Sequence, residues 1–249
     1  MEKVYIASPF FDEASKAWVT NRETEYEGFK IDYFSPRQDG VDFHEKTLSL
    51  QERSNRIKMI FKNNIKGLDM CNEMVANLNS CNGKIDIGTL WEVGYFAGRE
   101  YNSRSIRLFG DDFVVNKIKS LINNLSAIKI KQNKKSSDAP LRIVCIPEVE
   151  EVVRKALKFS DRTFKNIESL NLYTTKTWEV EAEESIVILT DNYPLEMYLF
   201  MGFLYAKGID YYTCSLRGFG SNIMIAASSQ GHINVPGVVL DDTYRKDLL

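Results

Sequence analysis

Short apolar segments alternate with longer helix-like segments along this chain, and this alternation limits the possible fold more than any other feature. The segments that predict strands in the first half are 3–11, 29–36, 72–79 and 105–110. Those that predict helices are 12–28, 48–70, 113–128 and the segment that contains Glu92. Strands that alternate with helices indicate an α/β protein, in which helices cover both faces of a parallel sheet.

The pattern begins again after a polar, basic stretch at 131–140, which predicts a linker. Strand-like "LRIVCIPEV" resembles "EKVYIASPF", and "ESIVILTDN" parallels "NEMVANLN". When "YLFMGFLYAKGIDYYTC" is laid over "LWEVGYFAGREYNSRSI", Gly202 falls on Gly94 and Phe200 on Glu92. We therefore predict a degenerate internal repeat, with domains at 1–130 and 141–249. The alternative is two unrelated α/β segments that share ordinary helix composition.

Composition excludes several classes of function. The 32 basic and 34 acidic residues nearly cancel, which argues against nucleic acid or an anionic membrane as a partner. No apolar run reaches the roughly 18–20 residues of a membrane span, and the amino end lacks a signal-peptide pattern. The 4 cysteines form no CxxC pair, which favours a reduced cytoplasmic compartment. With only 2 histidines, the sequence predicts no metal site and no cofactor.

A candidate site lies within "KIDIGTLWEVGYFAGRE" (84–100). Glu92 stands among apolar residues, where a carboxylate is costly to bury without a partner or a task. Asp86 precedes it in the loop after a strand, and ligands of parallel sheets bind at that end of the strands. We expect Thr89 to be the N-cap and the helix dipole to favour ionised Glu92. Two carboxylates can cleave a glycosidic bond, although both could instead serve as caps or turn residues.

Three segments together resemble the nucleoside 2-deoxyribosyltransferase family: "VYIASPFF", "NNIKGLDMCNEMVANLN" and "DIGTLWEVGYFAG". The resemblance covers 3–128 well and 141–240 weakly. It implies a flavodoxin-like (Rossmann-like) sheet, duplicated here as a tandem pseudo-dimer. It also implies that Glu92 is the nucleophile that holds a covalent 2-deoxyribosyl intermediate, that Asp86 supports the site and contacts the sugar, and that Tyr5 orients the nucleophile.

The resemblance implies further contacts with the substrate. The residues predicted to bind it are Ser8, Pro9, Phe10, Arg37, Asn64, Gly88, Trp91 and Asn222. Trp91 could equally be core, and a solvated turn is the alternative for Arg37 and its neighbour Asp39. Asn222 would reach the sugar 5′-hydroxyl from the second copy or would merely cap a helix beginning at Ile223. Its counterpart Asn116 would have no function.

One departure concerns Asn64, which stands where family members often have an aspartate that exchanges a proton with the base. An amide can hydrogen-bond a base edge but cannot protonate it, so the sequence leaves efficient base exchange open.

The predicted activity is cleavage of the N-glycosidic bond of 2′-deoxynucleosides, with transfer of the sugar to another nucleobase or to water. The alternatives are a hydrolase of deoxynucleoside 5′-monophosphates, with Ser8 and Ser221 as phosphate ligands, and a binding module that has lost catalysis. The predicted partners are a nucleoside or nucleotide and a free nucleobase, with a pseudo-dimer inside one chain or a further homo-oligomer.

Overall fold

The computed structural model describes most of the first half of the chain and the central elements of the second half. The described residues are 3–40, 49–81, 84–99, 105–128, 141–145, 164–169, 172, 185–189, 195–215, 222–229 and 232–234. The predicted linker at 131–140 lies outside them, so the domain boundaries stay a prediction.

The first half forms one parallel sheet with helices around it. Its elements are β1 (Lys3–Ala7), α1 (Glu13–Phe29), β2 (Asp32–Phe34), α2 (Pro36–Asp39), α3 (Leu50–Met70), β3 (Glu73–Asn77), α4 (Ile87–Gly98), β4 (Ser105–Phe109) and α5 (Asp112–Ala127). The strand order is β2-β1-β3-β4, and every neighbouring pair is parallel. Strands β1 and β3 occupy the middle and are almost wholly buried, as expected for a sheet covered on both faces.

The second half forms a separate parallel sheet. Its elements are β5 (Leu141–Cys145), β6 (Phe164–Ser169), β7 (Ser185–Leu189), α6 (Leu195–Ala206), β8 (Tyr211–Ser215), α7 (Ile223–Ser228) and β9 (His232–Asn234). The strand order is β6-β5-β7-β8-β9. Its first four strands are ordered as in the first sheet. The predicted fold class, a parallel α/β sheet with flanking helices, is confirmed.

Local sequence signals set the ends of the helices. The Asp12 carboxylate accepts a hydrogen bond from Ser15 N at 2.8 Å and caps α1, which ends where Lys30 adopts a left-handed φ of 57°. Ser49 and Glu52 form a reciprocal capping box at the start of α3. The short helix α2 follows β2, because Pro36 at its first turn favours helical φ.

Helices α4 and α6 pack against each other and join the two halves. A β-carbon on Gly94 would lie 1.8 Å from the carbonyl oxygen of Leu199, and one on Gly202 would lie 1.9 Å from that of Trp91. In each contact the carbonyl belongs to the residue three positions before the other glycine. The two contacts are therefore reciprocal, as at an interface between two copies related by a two-fold axis.

Both joining helices are apolar on all sides, which is typical of helices buried in the core of a protein. In α4 every residue from Gly88 to Phe96 is buried, and in α6 every residue from Glu196 to Leu204 is buried. Among the described helices, none combines the length and the apolar character needed to cross a lipid bilayer.

Candidate active site

Glu92 is buried on α4 and accepts two hydrogen bonds on the same oxygen. Tyr5 Oη donates to Glu92 Oε1 at 2.8 Å, and Asn64 Nδ2 donates to it at 3.3 Å. No described residue donates to Glu92 Oε2. Within the described part of the chain, the carboxylate is therefore held through one oxygen only.

Burial decides the ionisation of Glu92. Removal from water raises the pKa of this carboxyl most, the negative charge of Asp86 also raises it, and the hydrogen bonds from Tyr5 and Asn64 lower it. Together these effects bring the pKa to about 8. The sequence had led us to expect that the dipole of α4 would favour the ionised form. In the structure desolvation outweighs that effect, because Glu92 is only 6% exposed.

The packing of Tyr5 and its raised pKa make it a hydrogen-bond donor to the Glu92 carboxylate. It lies in the centre of β1, opposite Phe34 of β2, and the two rings stack with centroids 5.5 Å apart. Burial raises the pKa of the Tyr5 hydroxyl well above its usual value, and the Glu92 charge raises it further. The hydroxyl consequently keeps its proton and acts as a donor to Glu92.

Asp86, and not Thr89, is the N-cap of α4. Its Oδ2 accepts from Thr89 N at 2.7 Å and from Thr89 Oγ1 at 2.8 Å. The predicted cap was therefore wrong by three residues, because a carboxylate just before the helix reaches the free amides better than a threonine inside its first turn. Capping also fixes the direction of the Asp86 carboxylate.

Asn222 of the second half reaches the same place. A β-carbon on Gly88 would lie 2.8 Å from Asn222 Nδ2, 3.3 Å from Asn222 Oδ1 and 3.2 Å from Asp86 Oδ2. Gly88 therefore lets an amide from the second half approach the N-terminus of α4. Asn222 Oδ1 also accepts from Met224 N at 2.9 Å and caps α7. From this one position Asn222 can cap α7 and also lie beside the N-terminus of α4, so the two roles weighed for it from the sequence do not exclude each other.

Asn64 of α3 connects Glu92 to the second half. It is buried, and its Nδ2 also lies 3.8 Å from Met224 Sδ. Met224 was not predicted as a site residue. The sequence signal that could have identified Met224 as a site residue is its position two residues after Asn222, in the first turn of α7. Phe34 was missed too, because its contact with Tyr5 depends on the pairing of β1 with β2.

The remaining predicted residues lie close to the carboxyl ends of the strands or in the core. Ser8 donates to the Pro9 carbonyl at 2.9 Å and accepts from Asn77 Nδ2 at 3.1 Å. Pro9 is buried and Phe10 half-buried. Ser221, the second predicted phosphate ligand, lies outside the described residues. The buried position of the Ser8 hydroxyl favours a structural role for it.

The contacts of Trp91 favour the core alternative weighed for it, whereas Arg37 lies in α2 and not in the solvated turn weighed for it. Trp91 is fully buried, and its Nε1 donates to Tyr211 Oη of the second half at 3.2 Å. The guanidinium of Arg37 forms an ion pair with the buried carboxylate of Glu23. Their predicted roles in substrate binding stay predictions. Among the described residues, no cluster of His, Cys, Asp or Glu side chains could hold a metal ion.

The fold and this site define a class: an α/β protein with a buried, tyrosine-bound carboxylate at the ligand-binding end of a parallel sheet. Residues 4–115 match the family model described as nucleoside 2-deoxyribosyltransferase. The resemblance predicted from the sequence is confirmed over this stretch, which is a little under half of the chain.

Two further comparisons were made with known proteins. One solved structure with a similar chain is 2-deoxyribosyltransferase from the psychrotolerant bacterium Bacillus psychrosaccharolyticus. It is 26% identical, with a TM-score of 0.35, and the alignment covers 43% of this chain and 72% of that chain. None of the curated proteins compared with this chain matches it.

Proposed function

We propose that this chain cleaves the N-glycosidic bond of 2′-deoxynucleosides through Glu92 and passes the sugar to another nucleobase or to water. The observation that carries the proposal is the hydrogen bond of 2.8 Å from Tyr5 Oη to Glu92 Oε1 in a buried site. It orients a carboxylate while leaving Oε2 open, which is the arrangement that a carboxylate nucleophile requires.

In the proposed reaction Oε2 of ionised Glu92 attacks C1′ of the sugar. A carbon–oxygen bond forms as the bond from C1′ to the base nitrogen breaks, and the electron pair of the broken bond leaves with the base. A second base or a water molecule then attacks C1′, and the bond from C1′ to Oε2 breaks, which releases Glu92 as a carboxylate. The proton that the incoming group loses balances the proton that the departing base gains. Tyr5 holds the carboxylate in both steps, and Asp86 lies at the entrance, where its charge favours the oxocarbenium-like transition state.

We further propose that the second half completes the pocket inside one chain, as a pseudo-dimer. The reciprocal contacts of Gly94 and Gly202 and the position of Asn222 beside Gly88 support this arrangement. Asn222 would bind the sugar 5′-hydroxyl, while Phe200, which replaces the glutamate in the second copy and is fully buried, would leave that copy without a nucleophile. The domains would then be 1–130 and 141–249.

Incubation of the protein with 2′-deoxyinosine and free adenine, followed by chromatography of bases and nucleosides, tests the proposal. We expect hypoxanthine to be released, and Glu92→Ala to lose several orders of magnitude in turnover, because the nucleophile is gone. Mass spectrometry of protein quenched during turnover should find one deoxyribosyl group on the peptide that contains Glu92.

The matched control is Glu13→Ala, an exposed glutamate at the start of α1, which should keep wild-type turnover. Retention of more than about a tenth of the rate by Glu92→Ala would contradict a nucleophilic role and favour a binding module. Cleavage of 2′-deoxyinosine 5′-monophosphate alone would favour the nucleotide hydrolase instead.

A further inference from the structure

A series of hydrogen bonds crosses from the first half of the chain to the second, starting one residue away from Glu92. Trp91 Nε1 of α4 donates to Tyr211 Oη of β8 at 3.2 Å. Tyr211 Oη in turn shares a hydrogen bond with Ser228 Oγ of α7. Ser228 Oγ donates to the Met224 carbonyl at 2.6 Å. The series therefore links α4, the second sheet and α7.

The direction of each hydrogen bond in this series is fixed. An indole nitrogen can only donate, and a carbonyl oxygen can only accept. The single proton of the Ser228 hydroxyl goes to a carbonyl of its own helix, so Ser228 Oγ accepts from Tyr211. Burial raises the pKa of Tyr211 to about 12, so the phenol keeps the proton that it donates. The Tyr211 hydroxyl therefore accepts from α4 and donates to α7.

Burial makes this arrangement costly to disturb. Trp91 and Tyr211 are fully buried, and Ser228 is buried as well. A buried donor or acceptor that loses its partner destabilises any arrangement that leaves it unpaired. The Tyr211 hydroxyl therefore favours one placement of α4 and α7 relative to each other.

Helix α7 depends on such an anchor because it is short. It spans 6 residues, 223–228, and an isolated helix of that length is not stable in water. Yet the second half meets the candidate site through this helix. Asn222 caps it and lies beside Gly88 at the start of α4, and Met224 in its first turn lies beside Asn64.

We propose that Tyr211 is a positioning residue for the N-glycosidic reaction, which anchors α7 against α4 and so holds Asn222 at the 5′-hydroxyl of the sugar. This inference rests on the proposed function, including the role of Asn222 in it. Tyr211 lies in the core and acts through Ser228 and the backbone of α7. The sheet of the second half thereby becomes part of the sugar-binding apparatus.

The test compares kcat/KM for 2′-deoxyinosine with kcat/KM for 2′,5′-dideoxyinosine, which lacks the 5′-hydroxyl, by release of hypoxanthine from the full chain. Tyr211→Phe removes the hydroxyl and keeps the ring, and Ser228→Ala breaks the series at its next bond. A displaced α4 or a general loss of stability affects both substrates equally and cancels in the ratio of the two values. The matched control is Tyr26→Phe, a buried tyrosine of α1 whose hydroxyl accepts from Arg107 at 3.4 Å.

We expect wild-type protein to favour 2′-deoxyinosine. Tyr211→Phe and Ser228→Ala should each lower the ratio of 2′-deoxyinosine to 2′,5′-dideoxyinosine by about 5- to 50-fold, the effect of misplacing one partner of the sugar. Adding Tyr211→Phe to Asn222→Ala should lower the ratio by less than about twofold further, because residues that act through one contact are not additive. Tyr26→Phe should keep the wild-type ratio within about twofold.

Equal losses for both substrates in Tyr211→Phe and Ser228→Ala would overturn this inference and leave cleavage of the glycosidic bond standing. Equal cleavage of both substrates by wild-type protein would also overturn it, since no contact with the 5′-hydroxyl would then exist for α7 to hold. Release of hypoxanthine from neither substrate would overturn the proposed function together with the inference. If Tyr211→Phe does not fold, Ser228→Ala, alone and combined with Asn222→Ala, decides the question.

Discussion

At the scale of single residues, the proposed nucleophile Glu92 has a pKa that disfavours ionisation at neutral pH. Burial keeps the proton on the free protein up to a pH of about 8, yet the attack requires the carboxylate. The Tyr5 and Asn64 hydrogen bonds lower this pKa only in part. Activity should therefore depend on how much Glu92 is ionised when substrate binds.

The first prediction concerns pH. kcat/KM for 2′-deoxyinosine should rise with pH and level off above an inflection near 8, the pKa of Glu92 in the free protein. Asp86→Asn should move the inflection to lower pH, because it removes a negative charge that raises this pKa, while asparagine still caps α4. Initial rates across a pH series measure both. An inflection that stays in place in Asp86→Asn would show that the two carboxylates do not interact.

The second prediction concerns Asn64 and the leaving base. Asn64→Asp should raise transfer to free adenine relative to hydrolysis, because a titratable group near the reacting atoms restores proton exchange with the base. The ratio of 2′-deoxyadenosine to free 2-deoxyribose, measured by chromatography, reports it independently of the overall rate. An unchanged ratio would mean that residue 64 does not act on the base, in either its amide or its acid form.

At the scale of elements, the site depends on two helix N-termini that come from different halves of the chain. Asp86 caps α4 and Asn222 caps α7, and the two caps meet beside Gly88. Each side chain is held by its own helix, so neither needs a flexible loop to reach the pocket. The pair therefore forms a polar rim, and Glu92 lies nearly two turns further along α4 than Asp86.

The third prediction tests the element that the second half contributes. Asn222→Ala should weaken binding or turnover by about 1–3 kcal/mol through the loss of one sugar hydrogen bond. Asn116→Ala, at the matching and exposed position of the first half, should change little. Steady-state kinetics of both variants, with circular dichroism to confirm folding, make the comparison. Loss of activity in Asn116→Ala alone would mean that another chain's first half completes the pocket.

At the scale of the whole molecule, two sheets of related strand order are held together by the close approach of α4 and α6. The approach is possible only because Gly94 and Gly202 lack side chains where they meet the opposite backbone. An ion pair between Lys117 Nζ and the largely buried Glu196, at 2.7 Å, adds a polar contact between the halves. Anything that separates these helices should also move Asn222 away from Glu92.

The fourth prediction follows from that packing. Gly202→Ala should destabilise the protein by at least about 1–3 kcal/mol, the usual cost of an overpacked core, and should lower activity although residue 202 is not in the site. Gly28→Ala is the control, since a β-carbon there meets no atom within 4 Å, and it should be neutral or stabilising. Thermal unfolding and deoxyinosine turnover measure the two effects. Full activity in a stably folded Gly202→Ala would contradict completion of the pocket by the second half.

Much of the fold and of the site followed from the sequence by itself, because the signals are local. The strands and the long helices followed from periodicity, and the equivalence of Gly94 and Gly202 followed from the internal repeat, whereas their close contact appeared only in the structure. Glu92 stood out because a carboxylate inside an apolar helix is expensive to bury. The identity of Asn222 as a helix cap followed from residue type alone.

Tertiary structure decided which of these residues meet and in which protonation state. The burial that raises the pKa of Glu92 depends on the packing of α4 among other elements, of which β1 supplies Tyr5 and α3 supplies Asn64, and no local signal reports it. Met224 and Phe34 joined the site only through contacts between elements distant in sequence. The contacts of Trp91 and Arg37 with Tyr211 and Glu23 arise in the same way, since a side chain's partner is set by the packing of whole elements and not by its own neighbours in the chain.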